Sequence, residues 1–525
     1  MKSFKNHLIS IKSPGESIDL NRKPIYKGSA IFPVISNDKI NSRILFMGYW
    51  IIKKNIKEIG LLYTLRNQEG EVILRKSSQI TSPSSTEIDL KYLLEETEKK
   101  YQNFIGSIEL EIFSNVDLVF PYPAFVINYY NNMSSTLVHT TGRIYNDFED
   151  MKNNEAFKVK ESGFDIISRK NVEPFFSFVN GPLDNETPKI NIELIKEENV
   201  IIKKELSLES IKPFETKFIH LKKFLDIEKY LKNDIGTIKI DHNLKGFFPR
   251  FIAGNLETET NSHSITHTFY DNSQNNSKDA YWTNNHQNEL YDSTVFIPLL
   301  VNDDWYTELK LYPIYSPSKH SISIQFYDSE GKIIGSKANF MSMNKNKFVQ
   351  ISMGKILTQL NIPKDNVMGA NLIKTWEDKS QIPSRLKYGL NIGKKNKKYD
   401  IPTNICFASY LSNINTLQKK GTFKWFPLIN SGESLGIIEN SSFIKNYDKI
   451  ANIKVCFYNN EQKESIERDY IIAPNGQLRI TFDKELIKFS KNLPIWVTVN
   501  SDNPFIKAWY FEFNDSGIMG GDHSF

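Results

Sequence analysis

The organisation of this chain follows from one stretch, Ile31-Phe32-Pro33-Val34-Ile35, because three later stretches are close copies of it. An asparagine follows each copy within two residues. The later copies are Phe175-Phe176-Ser177-Phe178-Val179, Phe296-Ile297-Pro298-Leu299-Leu300 and Trp425-Phe426-Pro427-Leu428-Ile429. They lie about 120 to 145 residues apart, and a repeat at such intervals predicts a chain built from four related modules.

After each opening stretch comes a segment in which apolar residues alternate with polar ones. The alternating residues are Leu61-Tyr63-Leu65, Ile190-Ile192-Leu194, Ile322-Ile324-Phe326 and Ile453-Val455-Phe457. A period of two is typical of a strand with one buried face. Three of these segments run into hairpin-like turns, at residues 66–70, 328–331 and 459–462.

Each module then contains a short helical signal and two closing strands. Apolar residues recur at three- and four-residue spacing in the ranges 90–101, 221–231, 356–360 and 486–489. A further strand follows Gly106, Gly236, Gly369 or Pro494, and the last one follows a proline (Pro123, Pro249, Pro383 or Pro504), where the missing amide proton costs little. The pattern predicts an all-β fold with short helices, in four tandem antiparallel β-sandwich modules. This architecture resembles the immunoglobulin-like modules of bacterial surface and accessory proteins.

The expected boundaries follow from these repeats. Residues 1–29 form an N-terminal extension, and the modules occupy residues 30–150, 170–275, 292–412 and 421–525. A chain of 525 residues is long enough for several such domains.

Composition narrows the classes of partner and location. The net charge of +5 is spread along the chain, which argues against nucleic-acid binding, since nucleic-acid binders concentrate their cations in a patch. No stretch is apolar for long enough to form a membrane span, and the first 20 residues lack the apolar core of a secretory signal. The expected protein is soluble and cytoplasmic, or else exported or virion-associated by a non-Sec route.

Two cysteines, Cys406 and Cys456, lie inside apolar runs of different modules. We expect both to be buried, unpaired thiols that serve as small core residues.

A histidine recurs in the last strand of three modules, at His139, His267 and His523, and Cys406 lies near the same place in the third module. Recurrence at one repeat position favours a structural role within the module, such as a hydrogen bond from the imidazole to a neighbouring loop. Contact with a ligand is the alternative.

The best local candidate for a binding site lies between the second and third modules, in residues 263–291. We expect Tyr281 and Trp282 to form an apolar wall there, with His267, Asp271 and His286 orienting a polar ligand. A packing bridge between modules is the alternative. No metal is predicted, because His263 and His267 lie four residues apart in a strand, about 13 Å from each other, too far to share an ion.

Two further motifs have simpler explanations. Residues 432–436 match the Gly-x-Ser-x-Gly pattern of hydrolase nucleophiles, but they follow a module opening in an antiparallel pattern, where the required strand-to-helix turn is not expected. The basic run of residues 394–398 lies between two strands, as a solvated hairpin tip does.

No catalytic residue and no cofactor is predicted from this sequence. The leading hypothesis is a non-enzymatic binding, spacer or scaffold protein, with a carbohydrate or another protein as its partner at a surface. A glycan-processing hydrolase with its site around His267, Asp271 and His286 is one alternative. A structural subunit of a virion or an extracellular appendage is the other.

Overall fold

The computed structural model describes residues 24–118, 123–132, 134–139, 143–144, 161–245, 247–248, 251–270, 281–282, 288–302, 304–313, 318–344, 347–383, 386–395, 401–408, 410–411, 414–429, 434–461, 465–513 and 520–525. Antiparallel β-sheets dominate this part of the chain, so the prediction of an all-β fold with short helices is confirmed. None of the described helices is long and apolar enough to cross a membrane.

Eight strands recur four times in the same order, and each set of eight is called a unit below. Unit 1 contains β1 Lys27–Ser36, β2 Asn41–Met47, β3 Ile59–Asn67, β4 Val72–Ile80, β5 Ser85–Asp89, β6 Phe104–Phe113, β7 Val126–Tyr130 and β8 Ser135–His139. Unit 2 contains β10 Glu161–Ile167, β11 Val172–Val179, β12 Lys189–Lys196, β13 Asn199–Ser207, β14 Thr216–His220, β15 Ile235–His242, β17 Ile252–Glu257 and β18 His263–His267.

Units 3 and 4 repeat the same set. Unit 3 contains β21 Ser293–Pro298, β22 Trp305–Leu311, β23 His320–Tyr327, β24 Ile333–Met343, β25 Val349–Ser352, β26 Gly369–Trp376, β28 Lys387–Lys394 and β29 Ile405–Ala408. Unit 4 contains β31 Thr422–Leu428, β32 Ser434–Asn440, β33 Ala451–Tyr458, β34 Ser465–Ile472, β35 Gln477–Thr481, β36 Ile495–Ser501, β37 Ile506–Glu512 and β38 Gly520–His523. Short strands outside these sets are β9 Arg143–Ile144, β16 Phe247–Phe248, β19 Phe269–Tyr270, β20 Tyr281–Trp282, β27 Ile382–Pro383 and β30 Tyr410–Leu411.

The strand order is the same in all four units. One sheet places the fourth, third, sixth and first strands side by side, and the other places the fifth, second, seventh and eighth. The immunoglobulin sandwich likewise pairs its second strand with the fifth and its third with the sixth. Here, however, the first strand pairs with the sixth and the seventh with the second. The strand order of the units therefore departs from the immunoglobulin order in its outer strands.

The alignment of the second opening stretch was wrong by one strand. Phe175–Val179 lie in β11, the second strand of unit 2, and the first strand is β10, which pairs with β15. The sequence of β10 has a weak apolar signature because Asp165 occupies its outward face, where unit 3 covers it. We therefore propose that unit 2 begins at Glu161 and not at residue 170.

Short helices lie where the spacing of apolar residues predicts them. They are α2 Leu90–Glu95, α3 Ile227–Leu231 (preceded by a 3₁₀ turn, Leu221–Lys223), α4 Met353–Gln359 and α6 Lys484–Ser490, each between the fifth and sixth strands of its unit. The other two α-helices among the described residues are α1 Tyr49–Lys54 and α5 Ile414–Leu417. Asp89, Asp226 and Asp483 cap three of them by accepting a backbone N–H.

The apolar cores show both sandwich packing and contact between units. In unit 2, Phe164 and Ile166 of one sheet meet Phe176 and Phe178 of the other. The core of unit 1 is continuous with that of unit 4, and Trp509 of unit 4 packs into the core of unit 3. Sheet faces that would be exposed in isolated modules are therefore buried between units.

One hydrogen bond recurs at every junction between units. In each case a carbonyl at the tip of the hairpin that joins the third and fourth strands accepts the N–H of a residue at or just before the start of the next unit's fifth strand. The pairs are Gln68 with Thr216 (2.9 Å), Glu197 with Phe348 (2.7 Å), Ser329 with Gln477 (3.0 Å) and Asn459 with Ser85 (2.7 Å). The fourth pair runs from unit 4 back to unit 1, so the four units form a closed ring of contacts.

Gly331 has a positive φ of 80° at one of these tips, and a Cβ on it would lie 1.9 Å from the carbonyl oxygen of Pro474 in unit 4. Gly331→Ala should therefore lower stability by more than the about 1 to 2 kcal/mol that left-handed backbone costs an L-residue. Thermal unfolding measures this loss. Gly354→Ala is the matched control: Gly354 lies in α4 with open space around it, and alanine there should stabilise by up to about 1 kcal/mol. Equal effects of the two variants would contradict the assigned docking of the hairpin tip.

Candidate functional site

The eighth strands of the four units meet at the centre of the ring. Strand β8 contacts β18, β18 contacts β29, β29 contacts β38, and β38 contacts β8. These strands come from four different parts of the chain. Their side chains at the centre are therefore brought together only by the closure of the ring.

The recurring histidine occupies one structural position in this arrangement. In each unit, the residue two positions after the N–H donor of the inter-unit hydrogen bond lies on the fifth strand. Its cross-strand neighbour on the second strand pairs with a residue of the seventh strand, and that residue pairs with one of the eighth strand. This path ends at His139, His267, Cys406 and His523. The expected correspondence between the three histidines and Cys406 is confirmed.

His139 lies in the middle of this group. Its ring centroid is 4.6 Å from that of His267 and 4.5 Å from that of His523, both in edge-on contacts. Its Nδ1 lies 2.8 Å from Oδ2 of Asp522, the residue before His523. Asp522 Oδ2 also accepts the backbone N–H of His139 at 3.1 Å, so Asp522 holds the last strand of unit 4 against the last strand of unit 1.

The other two imidazoles are held by backbone carbonyls. Nδ1 of His267 donates to the carbonyl of Thr268 at 2.9 Å, and Nδ1 of His523 donates to the carbonyl of Ser524 at 3.0 Å. A carbonyl can only accept, so both rings carry a proton on Nδ1. Each of these carbonyls belongs to the next residue of the same segment, and not to a neighbouring loop as we expected.

Burial governs the charges of the central group. Partial burial of the ring, reinforced by the neighbouring His139, lowers the pKa of His523 to about 4, although 34% of the side chain is exposed. Burial by itself would raise the pKa of Asp522, but the charge and hydrogen bond of His139 bring it below its ordinary value. Asp522 is therefore ionised and His523 neutral near pH 7. Burial also raises the pKa of the Cys406 thiol, so Cys406 stays protonated.

His139, Asp522 and His523 are the residues in the described part of the chain that are placed to hold a metal ion together. One ligand atom from each lies within 4.8 Å of the others. Cys406 is a poor candidate because metals bind the thiolate, which its raised pKa disfavours. Both Cys406 and Cys456 are buried and neither forms a disulfide, as predicted.

The structure separates the residues that the sequence grouped into one site. His267 lies at the centre of the ring, whereas Tyr281 and Trp282 form β20, which pairs with Ile382–Pro383 of unit 3. Asp271 and His286 lie outside the described residues. His263, which we excluded as a partner of His267 in metal binding, points to unit 1, where its Nε2 donates to the carbonyl of Tyr129 at 2.9 Å.

Sequence reasoning missed Asp522. Its counterparts one residue before the recurring position are Val138, Thr266 and Ile405. A carboxylate where the other units carry an uncharged residue was the available signal, and it becomes visible only once the four eighth strands are aligned.

The two remaining motifs have structural roles. Ser434 begins the antiparallel strand β32, and its Oγ accepts the N–H of Ile429 at 3.2 Å, so it does not lie on a strand-to-helix turn. Lys395, in the basic run between β28 and β29, donates to the carbonyl of Asn302 at 2.7 Å. Residues 396–398 of that run lie outside the described residues.

Fold and site together define a closed four-unit β-sandwich protein with a histidine-lined centre. No protein-family model matches the sequence, and no curated protein matches it. Among solved structures, it is similar at 10% identity to "The structure of a beta-glucuronidase from glycoside hydrolase family 2", with a TM-score of 0.11, over 55% of this chain and 28% of that one. The chain thus spans less than a third of that enzyme, and a similarity of this size carries no argument about function.

Proposed function

We propose that this protein is a non-enzymatic scaffold whose four units close into a rigid ring, with its outer surface available to a carbohydrate or protein partner. The observation that carries this proposal is the inter-unit hydrogen bond that recurs four times and returns from unit 4 to unit 1. A chain of independent spacers needs no such return contact. A ring fixes the distances between its units, which is the property a scaffold requires.

The packing between units supports rigidity. Domains joined by small polar interfaces move relative to each other, whereas large apolar interfaces hold them. Units 1 and 4 share one apolar core, in which Tyr49 of α1 stacks on Trp425 of β31 with ring centroids 4.4 Å apart. At the other end of unit 1, the Arg66 guanidinium lies over the ring of Phe214 of unit 2, 4.2 Å from its centroid.

We further propose that the units are immunoglobulin-like in their central strand pairs, second with fifth and third with sixth. The exchange of the first and seventh strands between sheets is a variation on that plan. Sandwiches of this kind serve many unrelated functions, so the partner class rests on the surface and not on the fold. The 13% aromatic content favours a binding surface, since Tyr and Trp supply contact area at interfaces.

Small-angle X-ray scattering of the full-length protein tests the ring. A compact chain of 525 residues should give a radius of gyration of about 24 Å, whereas four modules strung end to end give about 40 Å. We expect a value near the first figure, unchanged between low and high salt, because the junctions are mainly apolar. A value near 40 Å would remove the scaffold proposal. An ordered homopolymer in electron micrographs would favour the appendage subunit instead.

A further inference from the structure

We propose that His139, Asp522 and His523 bind one divalent transition-metal ion of the zinc type and that this ion fastens the junction between units 1 and 4. The ligands are one nitrogen from each imidazole and the carboxylate of Asp522, which faces His139 through Oδ2 and His523 through Oδ1. The inference rests on the contact between β8 and β38, which the proposed ring requires.

The distances suit such an ion. Nδ1 of His139 lies 2.8 Å from Oδ2 of Asp522, and Nε2 of His523 lies 4.0 Å from Oδ1. Zinc binds nitrogen and oxygen at about 2.0 to 2.2 Å, so two ligands of a tetrahedral site lie about 3.3 Å apart. Each observed distance differs from this by less than about 1 Å, within the reach of small side-chain rotations. The ion would take the place of the hydrogen that lies between Nδ1 of His139 and Oδ2 of Asp522.

The ligands are also oriented for this task. Nδ1 of His523 is held by the carbonyl of Ser524, which leaves Nε2 with its lone pair and on the side of Asp522. Histidines that bind metals are commonly fixed in this way, through a hydrogen bond from the second ring nitrogen. Two imidazoles and a carboxylate form a ligand set that zinc and its neighbours in the first transition row favour over calcium or magnesium.

We expect an ion to enter from the side of His523, the most exposed of the three ligands. The side chain of His523 is 34% exposed, whereas that of His139 is 15% exposed and that of Asp522 only 5%. In the proposed site a water molecule would complete the coordination from this side, as in sites with three protein ligands.

The position of the site gives it a specific role. Three junctions join units that are consecutive along the chain, but the fourth junction joins the first unit to the last. His139 and Asp522 are 383 residues apart in sequence. An ion that binds only when these units are in contact stabilises the closed ring by mass action.

The test uses full-length protein dialysed against EDTA and then against chelator-free buffer. Calorimetric titration with ZnCl₂ and metal analysis after gel filtration should give one zinc per chain and a higher unfolding temperature. Asp522→Asn and His523→Ala should weaken zinc binding by about 100-fold or more. His523→Ala is the variant expected to fold normally, because His523 is the most exposed of the three. His220→Ala, which removes a partly buried histidine on β14 of unit 2, is the matched control and should keep full binding.

Absence of zinc uptake by the folded protein, or equal affinity in the His523→Ala variant, would overturn the metal site. Scattering from the metal-free protein separates this failure from failure of the scaffold proposal. If the metal-free protein is compact and takes up no zinc, the metal site is contradicted and the ring is retained. If the metal-free protein is extended, the ring itself is contradicted.

Discussion

Replacing Trp425 with alanine should lower the free energy of unfolding by about 3 to 5 kcal/mol, the cost of deleting a large buried aromatic side chain, and should loosen the ring. Trp425 is 6% exposed and lies at the junction of units 1 and 4. Its ring stacks on Tyr49 at 4.4 Å and on Phe525 at 5.6 Å, and the Lys53 ammonium lies 4.5 Å from its centroid. Urea unfolding measures the stability, and the scattering radius measures the opening.

Trp376→Ala is the matched control for this prediction. Trp376 is equally buried, at 3% exposed, but it stacks on His320 within unit 3. We expect this variant to lose comparable stability while its radius of gyration stays that of the unaltered protein. If both variants leave the radius unchanged, the contact through Trp425 does not close the ring.

Replacing Asp165 with alanine should cost about 2 to 5 kcal/mol, because it removes the acceptor of two buried donors, the hydroxyl of Tyr312 and the amide of Asn391, at about 1 to 3 kcal/mol each. Asp165 of unit 2 is 1% exposed and reaches into unit 3. Its Oδ1 accepts the hydroxyl of Tyr312 at 3.1 Å, and its Oδ2 accepts the side-chain amide of Asn391 at 2.7 Å. Burial raises the pKa of Asp165, although the Lys310 ammonium nearby opposes this. Urea unfolding again provides the measurement.

Two further variants locate the cause of the loss. Asp165→Asn keeps the shape and one acceptor oxygen, so it should cost clearly less than alanine. Asp38→Ala removes an exposed aspartate from a turn of unit 1 and should change stability by no more than about 0.5 kcal/mol. A loss below about 1 kcal/mol for Asp165→Ala would show that solvent reaches the network and satisfies its groups.

The sequence predicted those features that depend on neighbouring residues. Alternation with a period of two located the third strand of every unit, because one face of each of these strands is buried and the other is wet. The three- and four-residue spacing located the short helices for the same reason. Burial of Cys406 and Cys456 followed from the apolar runs around them. These are local properties, and a single stretch of sequence contains them.

The start of unit 2 shows where local pattern is insufficient. Strand β10 is buried on both faces, by Phe164 and Ile166 towards its own core and by Asp165 towards unit 3. A buried aspartate with partners in another unit looks like a surface residue in the sequence. For this reason the pattern assigned the place of the first strand of unit 2 to β11, which is more apolar.

The sequence by itself determined an all-β chain of four repeats, with a histidine at one repeat position of three units and a cysteine in the other. Only the tertiary structure decided that the repeats close into a ring, that these four positions meet at its centre and that Asp522 joins them. The physical reason is how far apart in the sequence the interacting residues lie. Strand formation is governed by side chains two to four residues apart, whereas the pairing of His139 with Asp522 spans 383 residues and exists only when units 1 and 4 are in contact.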